Sequence, residues 1–63
     1  MTREAAKKEY LRLHEIVKNW RAKDAWHEAV RDRNDELVDY LFCTNGKEPG
    51  PWEMPPVPEG VEP

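Results

Sequence analysis

The sequence predicts an all-α fold: a two-helix antiparallel hairpin over residues 1–46, followed by an extended proline-rich tail over 47–63. Three observations carry that expectation. All six prolines and all three glycines lie beyond Thr44, so no strong helix breaker interrupts the residues before it. Within that block, apolar side chains recur at helical spacing in two stripes. The stripes are out of phase, since on one uninterrupted helix the second would be rotated by roughly 140° from the first. A single rod would therefore offer opposite apolar faces to water, whereas a hairpin lets them face each other. A continuous helix is the alternative, because the residues at the proposed turn include no glycine, proline or asparagine.

The first helix is carried by Ala6, Tyr10, Leu13, Val17 and Trp20, at spacings of 4, 3, 4 and 3, with Ile16 beside them. These make an apolar stripe about 120° wide. Thr2 is placed to cap the helix, and Ala5 at the third helical position rules out a capping box. A turn is expected at Arg21–Asp24, with the Asp24 carboxylate capping the second helix. That helix is marked by Trp26, Ala29, Val30, Leu37, Tyr40 and Leu41, with Arg33 the polar member of the stripe. It is expected to stop at Thr44–Asn45–Gly46, where Asn45 or Gly46 would take the left-handed capping conformation.

Proline density in the tail favours polyproline II. Pro55 to Pro58 satisfies Pro-x-x-Pro, but Trp52 and Gly60 stand where a flanking basic residue orients ligands of SH3-type grooves. Trp52, Met54 and Val57 are expected to lay the tail over the hairpin or over a partner, with Trp52 as the anchor.

A chain of 63 residues buries a small fraction of its surface and needs a supplement to its core. Cys43 is the one cysteine, which excludes an internal disulfide and suits a reducing compartment. His14 and His27 are each followed by Glu, but Lys18 and Arg31 stand where His-Glu-x-x-His requires its second histidine. The segment from His14 to Asn19 resembles that from His27 to Asp32, over six residues and at a spacing that matches no repeat period. There is no serine, and two helices cannot enclose a substrate pocket unaided. No catalytic, cofactor-binding or metal-ligating residue is expected. Association is the remaining supplement, either as a homodimeric four-helix bundle or by docking on a larger protein.

Charge is divided along the chain. Residues 1–23 carry net +4, residues 24–46 net −4 and the tail net −3. Helical spacing gathers Arg3, Lys7, His14, Lys18 and Arg21 into a basic strip, and Asp24, Glu28, Asp32, Asp35 and Asp39 into an acidic one. This division suits antiparallel pairing, within one chain or between two.

The expected partner-binding residues are therefore Tyr10, Trp20, Trp26, Tyr40, Phe42, Trp52 and Met54 among the apolar ones. The charged ones are Arg3, Lys7, Lys18, Arg21, Asp32, Asp35 and Asp39. The functional expectation is a non-enzymatic protein-interaction module, an accessory or inhibitory subunit acting on a larger protein, with no small-molecule substrate. The alternative is a homodimeric RNA- or DNA-binding regulator using the basic strip, which an overall pI near 5.3 disfavours. The longest apolar run, Tyr40–Cys43, is far below a membrane span, so no membrane contact and a cytoplasmic location are expected. The layout of two helices and an acidic tail resembles that of Rop, the plasmid-encoded RNA-binding hairpin, and that resemblance implies an RNA-binding dimer. Trp and Tyr stand where Rop-like packing layers small and large aliphatic residues, so no residue role is carried across.

Overall fold

The computed structural model describes residues 1–18, 24–43 and 46–62. Two helices, α1 (Arg3–Val17) and α2 (Ala25–Phe42), pack against each other, and the described residues include no strand. The hairpin expected from the phase jump is the observed architecture. The turn itself falls largely within residues 19–23, as do Trp20 and Arg21, and these lie outside the described residues.

Both helices begin as the sequence predicts. Thr2 accepts a hydrogen bond from the Ala5 amide at 3.1 Å, and Asp24 Oδ1 accepts one from the His27 amide at 2.9 Å. Each satisfies one of the amides that a helix start leaves without a partner. The buried core consists of Ala6 and Leu13 from α1 and Trp26, Val30 and Leu37 from α2. Truncating a leucine at such a site costs about 2–5 kcal/mol, so few side chains carry much of the fold.

Two cross-links set the register. Arg33 meets Glu9, and the Arg3 guanidinium donates to the carbonyls of Tyr40 (3.3 Å) and Leu41 (2.8 Å). The residue numbers of facing positions thus add to between 42 and 44, as an antiparallel pair requires. Arg3 occupies carbonyls that the last turn of α2 leaves unpaired, and it places a cation at the negative end of the helix dipole. Between α1 and α2, the ion pair found among the described residues runs opposite to the charge layout: the acid, Glu9, is on α1 and the base, Arg33, is on α2.

The end of α2 corrects the sequence expectation. The helix stops at Phe42, and Cys43 caps it in an extended conformation, its amide bonded to the Asp39 carbonyl. Gly46 does not adopt the left-handed conformation, which among the described residues belongs to Gly60 (φ 85°); Thr44 and Asn45, the other residues expected at the stop, lie outside the described residues. Gly46 is required for space instead. A Cβ there would run into the Asp39 carbonyl and lie 2.8 Å from the Cα of Tyr40, because the chain folds back against the last turn of α2. Gly60 occupies the third position of a turn closed by the Val61 amide on the Pro58 carbonyl at 3.1 Å, where positive φ is needed.

From Gly46 the tail runs back along the hairpin. Arg33 Nη1 donates to the Gly50 carbonyl at 2.8 Å, and Trp26 Nε1 donates to the Pro55 carbonyl at 2.8 Å. Trp52, Met54 and Val61 pack against the core, whereas Val57, expected among the covering residues, is 42 % exposed. The N-terminal amino group pairs with Glu48, and Tyr40 Oη donates to the Met1 carbonyl, so the N-terminus closes on the end of α2 and the start of the tail.

Candidate interaction surface

The tail gives the hairpin two unlike sides. On its own side the centre is Arg33, 3 % exposed and in contact with three parts of the chain. Its Nε and Nη2 form a fork on the two oxygens of Glu9 (3.1 and 3.2 Å), and Nη1 reaches Gly50 and Glu36. The guanidinium carbon lies 5.6 Å from the centroid of the Trp52 ring. A planar five-donor group suits this position, since it can bind a carboxylate, a carbonyl and an aromatic face together. Trp26, Trp52 and Met54 are gathered here and occupied within the chain. A groove of about 620 Å³ remains beside them, with Lys8, Arg12 and Glu53 at its edge.

The opposite side is open. Tyr10, Leu11, Leu41 and Phe42 line a groove of about 590 Å³ to which no tail residue contributes, with Arg3, Glu4 and Lys7 along its α1 margin. Leu11 is 53 % exposed and Phe42 68 % exposed. The Tyr10 ring meets Phe42 edge-on at 5.6 Å and stacks on His14 at 5.5 Å, while it also packs against the core.

Helical spacing puts part of each charged strip on this open side. On α1, Lys7, Leu11, His14 and Lys18 fall within about 60° of arc. On α2, Arg31 and Asp35 each lie about 20° in arc from Phe42, whereas Asp39 lines a groove with Lys47, Glu48, Pro49 and Gly50 of the tail. The open face thus has a largely basic margin on α1, a margin of both signs on α2 and an apolar seam between them. Among the described residues, no ion pair joins Arg3, Lys7 or Lys18 to Asp32, Asp35 or Asp39. Lys18 is held by Glu15 at 2.8 Å, a hydrogen bond that draws the Glu15 carboxyl below its usual pKa. Asp32 lies 3.8 Å from Arg31, and Asp39 accepts from the Cys43 thiol at 3.6 Å.

Side chains with chemical potential serve other ends. Cys43 is exposed, but its hydrogen bond to Asp39 pushes the thiol pKa up, the reverse of what a nucleophilic thiolate needs. His27 is buried at the start of α2, its Nδ1 2.7 Å from Asp24 Oδ2 and its ring edge-on to Trp26 at 4.9 Å. The hydrogen bond from the His27 amide holds the Asp24 carboxyl below its ordinary pKa. Among the described residues no three His, Cys, Asp or Glu side chains are grouped to hold a metal ion. No helix described is long and apolar enough to cross a membrane.

Of the residues expected to bind a partner, the structure brings Tyr10, Phe42, Arg3 and Lys7 together on the open face. It places Trp26, Trp52 and Met54 on the tail side, and Tyr40 between α2 and the N-terminus. Leu11 was not among the expected residues. Its signal in the sequence is a leucine in phase with Lys7 and Lys18, outside the apolar stripe. No family model, curated protein or solved structure matches the chain.

Proposed function

We propose that this chain is a non-enzymatic protein-interaction module, an accessory or inhibitory subunit that docks through its open face. The observation that carries the reading is the exposure of Leu11 and Phe42 on a face that also holds Tyr10 and Leu41. Covering one such side chain is worth about 1.5–3 kcal/mol, so the pair offers a driving force that the isolated hairpin leaves unused. The charged margins would set orientation more than affinity. The raised thiol pKa of Cys43 and the structural engagement of His27 with Asp24 also favour a binding role over catalysis.

Nothing in the geometry favours the nucleic-acid alternative. Among the described residues of the basic strip, Arg3 is committed to the carbonyls at the end of α2 and Lys18 to Glu15.

The test is co-purification of tagged protein from its native host, comparing wild type with Leu11→Asp/Phe42→Asp. Both positions are exposed, so the variant should keep its far-ultraviolet circular dichroism. A protein retained by wild type and lost with the variant is the expected result. Identical co-purification, or retention of nucleic acid in place of protein, would overturn the reading.

A further inference from the structure

On the side away from the open face, the hairpin holds the tail by its main chain. Arg33 Nη1 donates to the Gly50 carbonyl and Trp26 Nε1 to the Pro55 carbonyl, each at 2.8 Å. Both acceptors immediately precede a proline, Pro51 in one case and Pro56 in the other. The carbonyl of an X–Pro bond belongs to a tertiary amide, and the proline holds the residue before it in the extended region. The two donors therefore address a feature that any proline-rich segment repeats. Between these carbonyls, the Trp52 ring lies 5.6 Å from the Arg33 guanidinium carbon, and Met54 packs against the core.

We propose that this face of the hairpin is a binding site for proline-rich segments, occupied here by the chain's own tail, and that such a segment of a partner protein binds by taking the tail's place. The site is separate from the open face and goes beyond docking there. Its donors are positioned by the hairpin itself. The fork on Glu9 aims Arg33, and Trp26 belongs to the core between the helices, 4 % exposed. A site prepared in this way needs little ordering when a ligand enters, and prolines stiffen the ligand beforehand. Aromatic-lined grooves take proline-rich peptides by the same chemistry.

The tail, by contrast, is lightly held. From Gly50 to Glu62 none of its residues is buried, and Trp52, Met54 and Val61 stay half-exposed where they meet the core. Its advantage is attachment. Joined to α2 through residues 43–49, it has an effective concentration on the order of millimolar. An incoming segment must overcome that advantage, so the tail sets a threshold for binding. Loosening the tail should raise the affinity for an added segment while the site stays intact.

The experiment titrates the full chain with a fluorescein-labelled peptide of residues 48–62 and follows anisotropy. Trp52→Ala in the chain unseats the tail but not the peptide, and should bind the peptide about 10-fold more tightly than wild type. Met54→Ala should shift affinity in the same direction. Adding Trp26→Phe to either variant removes the donor to the Pro55 carbonyl and should weaken binding about 5-fold. A peptide with alanine at positions 51 and 56 should bind about 5-fold less tightly than the parent. Circular dichroism checks that the helices persist. In wild type, excess unlabelled peptide should move the amide resonances of residues 50–61 toward random-coil positions and leave those of the helices in place, a readout that needs no variant. Absence of binding at hundreds of micromolar to opened variants that keep their helices would overturn the proposal. So would equal affinity of these variants and wild type, equal affinity of the alanine peptide, or tail resonances that do not move. None of these outcomes touches the open face, which has its own co-purification test.

Discussion

Replacing Arg33 by Met keeps a long side chain in place and removes the polar contacts by which this residue ties the two helices to the tail. Two bonds to Glu9, one to Gly50, a longer one to Glu36 and the stacking on Trp52 are lost together. Removing one partner of a buried ion pair costs about 3–5 kcal/mol, because the remaining charge is left uncompensated. The Glu9 side chain is 20 % exposed and can recover part of its hydration, which sets the expectation at the lower end, about 3 kcal/mol. A chain of this size has a total stability of about 3–9 kcal/mol, so the loss is a large share of it.

Urea unfolding at fixed protein concentration, followed by far-ultraviolet circular dichroism and tryptophan fluorescence, measures it. Arg33→Lys keeps the charge but not the fork, and should lose about 2 kcal/mol. Adding Glu9→Leu to Arg33→Met should recover more than half of the loss, since the stranded carboxylate is then gone. A change below about 0.5 kcal/mol in Arg33→Met, the size typical of surface substitutions, would refute the reasoning.

Other positions yield equally direct expectations. Asp24→Ala should cost about 1 kcal/mol through loss of the α2 cap. Because the Asp24 carboxyl titrates below its ordinary 3.8 in the folded chain, its contribution is fully present above that value and is lost as pH falls through the lower folded-state value. The difference between wild type and Asp24→Ala should therefore shrink as pH falls below 3.8. Gly46→Ala should cost about 1–3 kcal/mol, because the new methyl meets helix backbone and not a flexible side chain, and tryptophan fluorescence should report looser tail packing. Trp26→Phe leaves the Pro55 carbonyl without its donor and should raise amide exchange in residues 55–62 more than in α1.

The hairpin was legible because helix periodicity and breaker placement are local properties. Thr2, Asp24 and the phase jump between the stripes were enough to predict two helices and their starts. The termination of α2 was less legible, since Gly46 answers to the space beside the Asp39 carbonyl, and a fold-back of the chain is not encoded in a three-residue motif. Net charge per helix does not name the contact either, since the ion pair between the helices is made by Glu9 and Arg33, the minority sign on each. Arg33 looked like a polar interruption of an apolar stripe, and its role required knowing that Glu9, Gly50 and Trp52 converge on it. The open face was half legible. Phe42 and the two strips were identified from spacing, but which side the tail would cover decides that Phe42 is left exposed while Trp26 is buried.

The claim that the open face is where this chain meets its partner is tested most directly by photo-crosslinking in living cells, with a benzophenone amino acid placed at position 42 or, as a control, at position 59. Phe42 and Glu59 are both exposed, but only Phe42 lies on the open face. The account predicts a discrete protein adduct from position 42 and none from position 59. An adduct from position 59 with none from position 42 would contradict it.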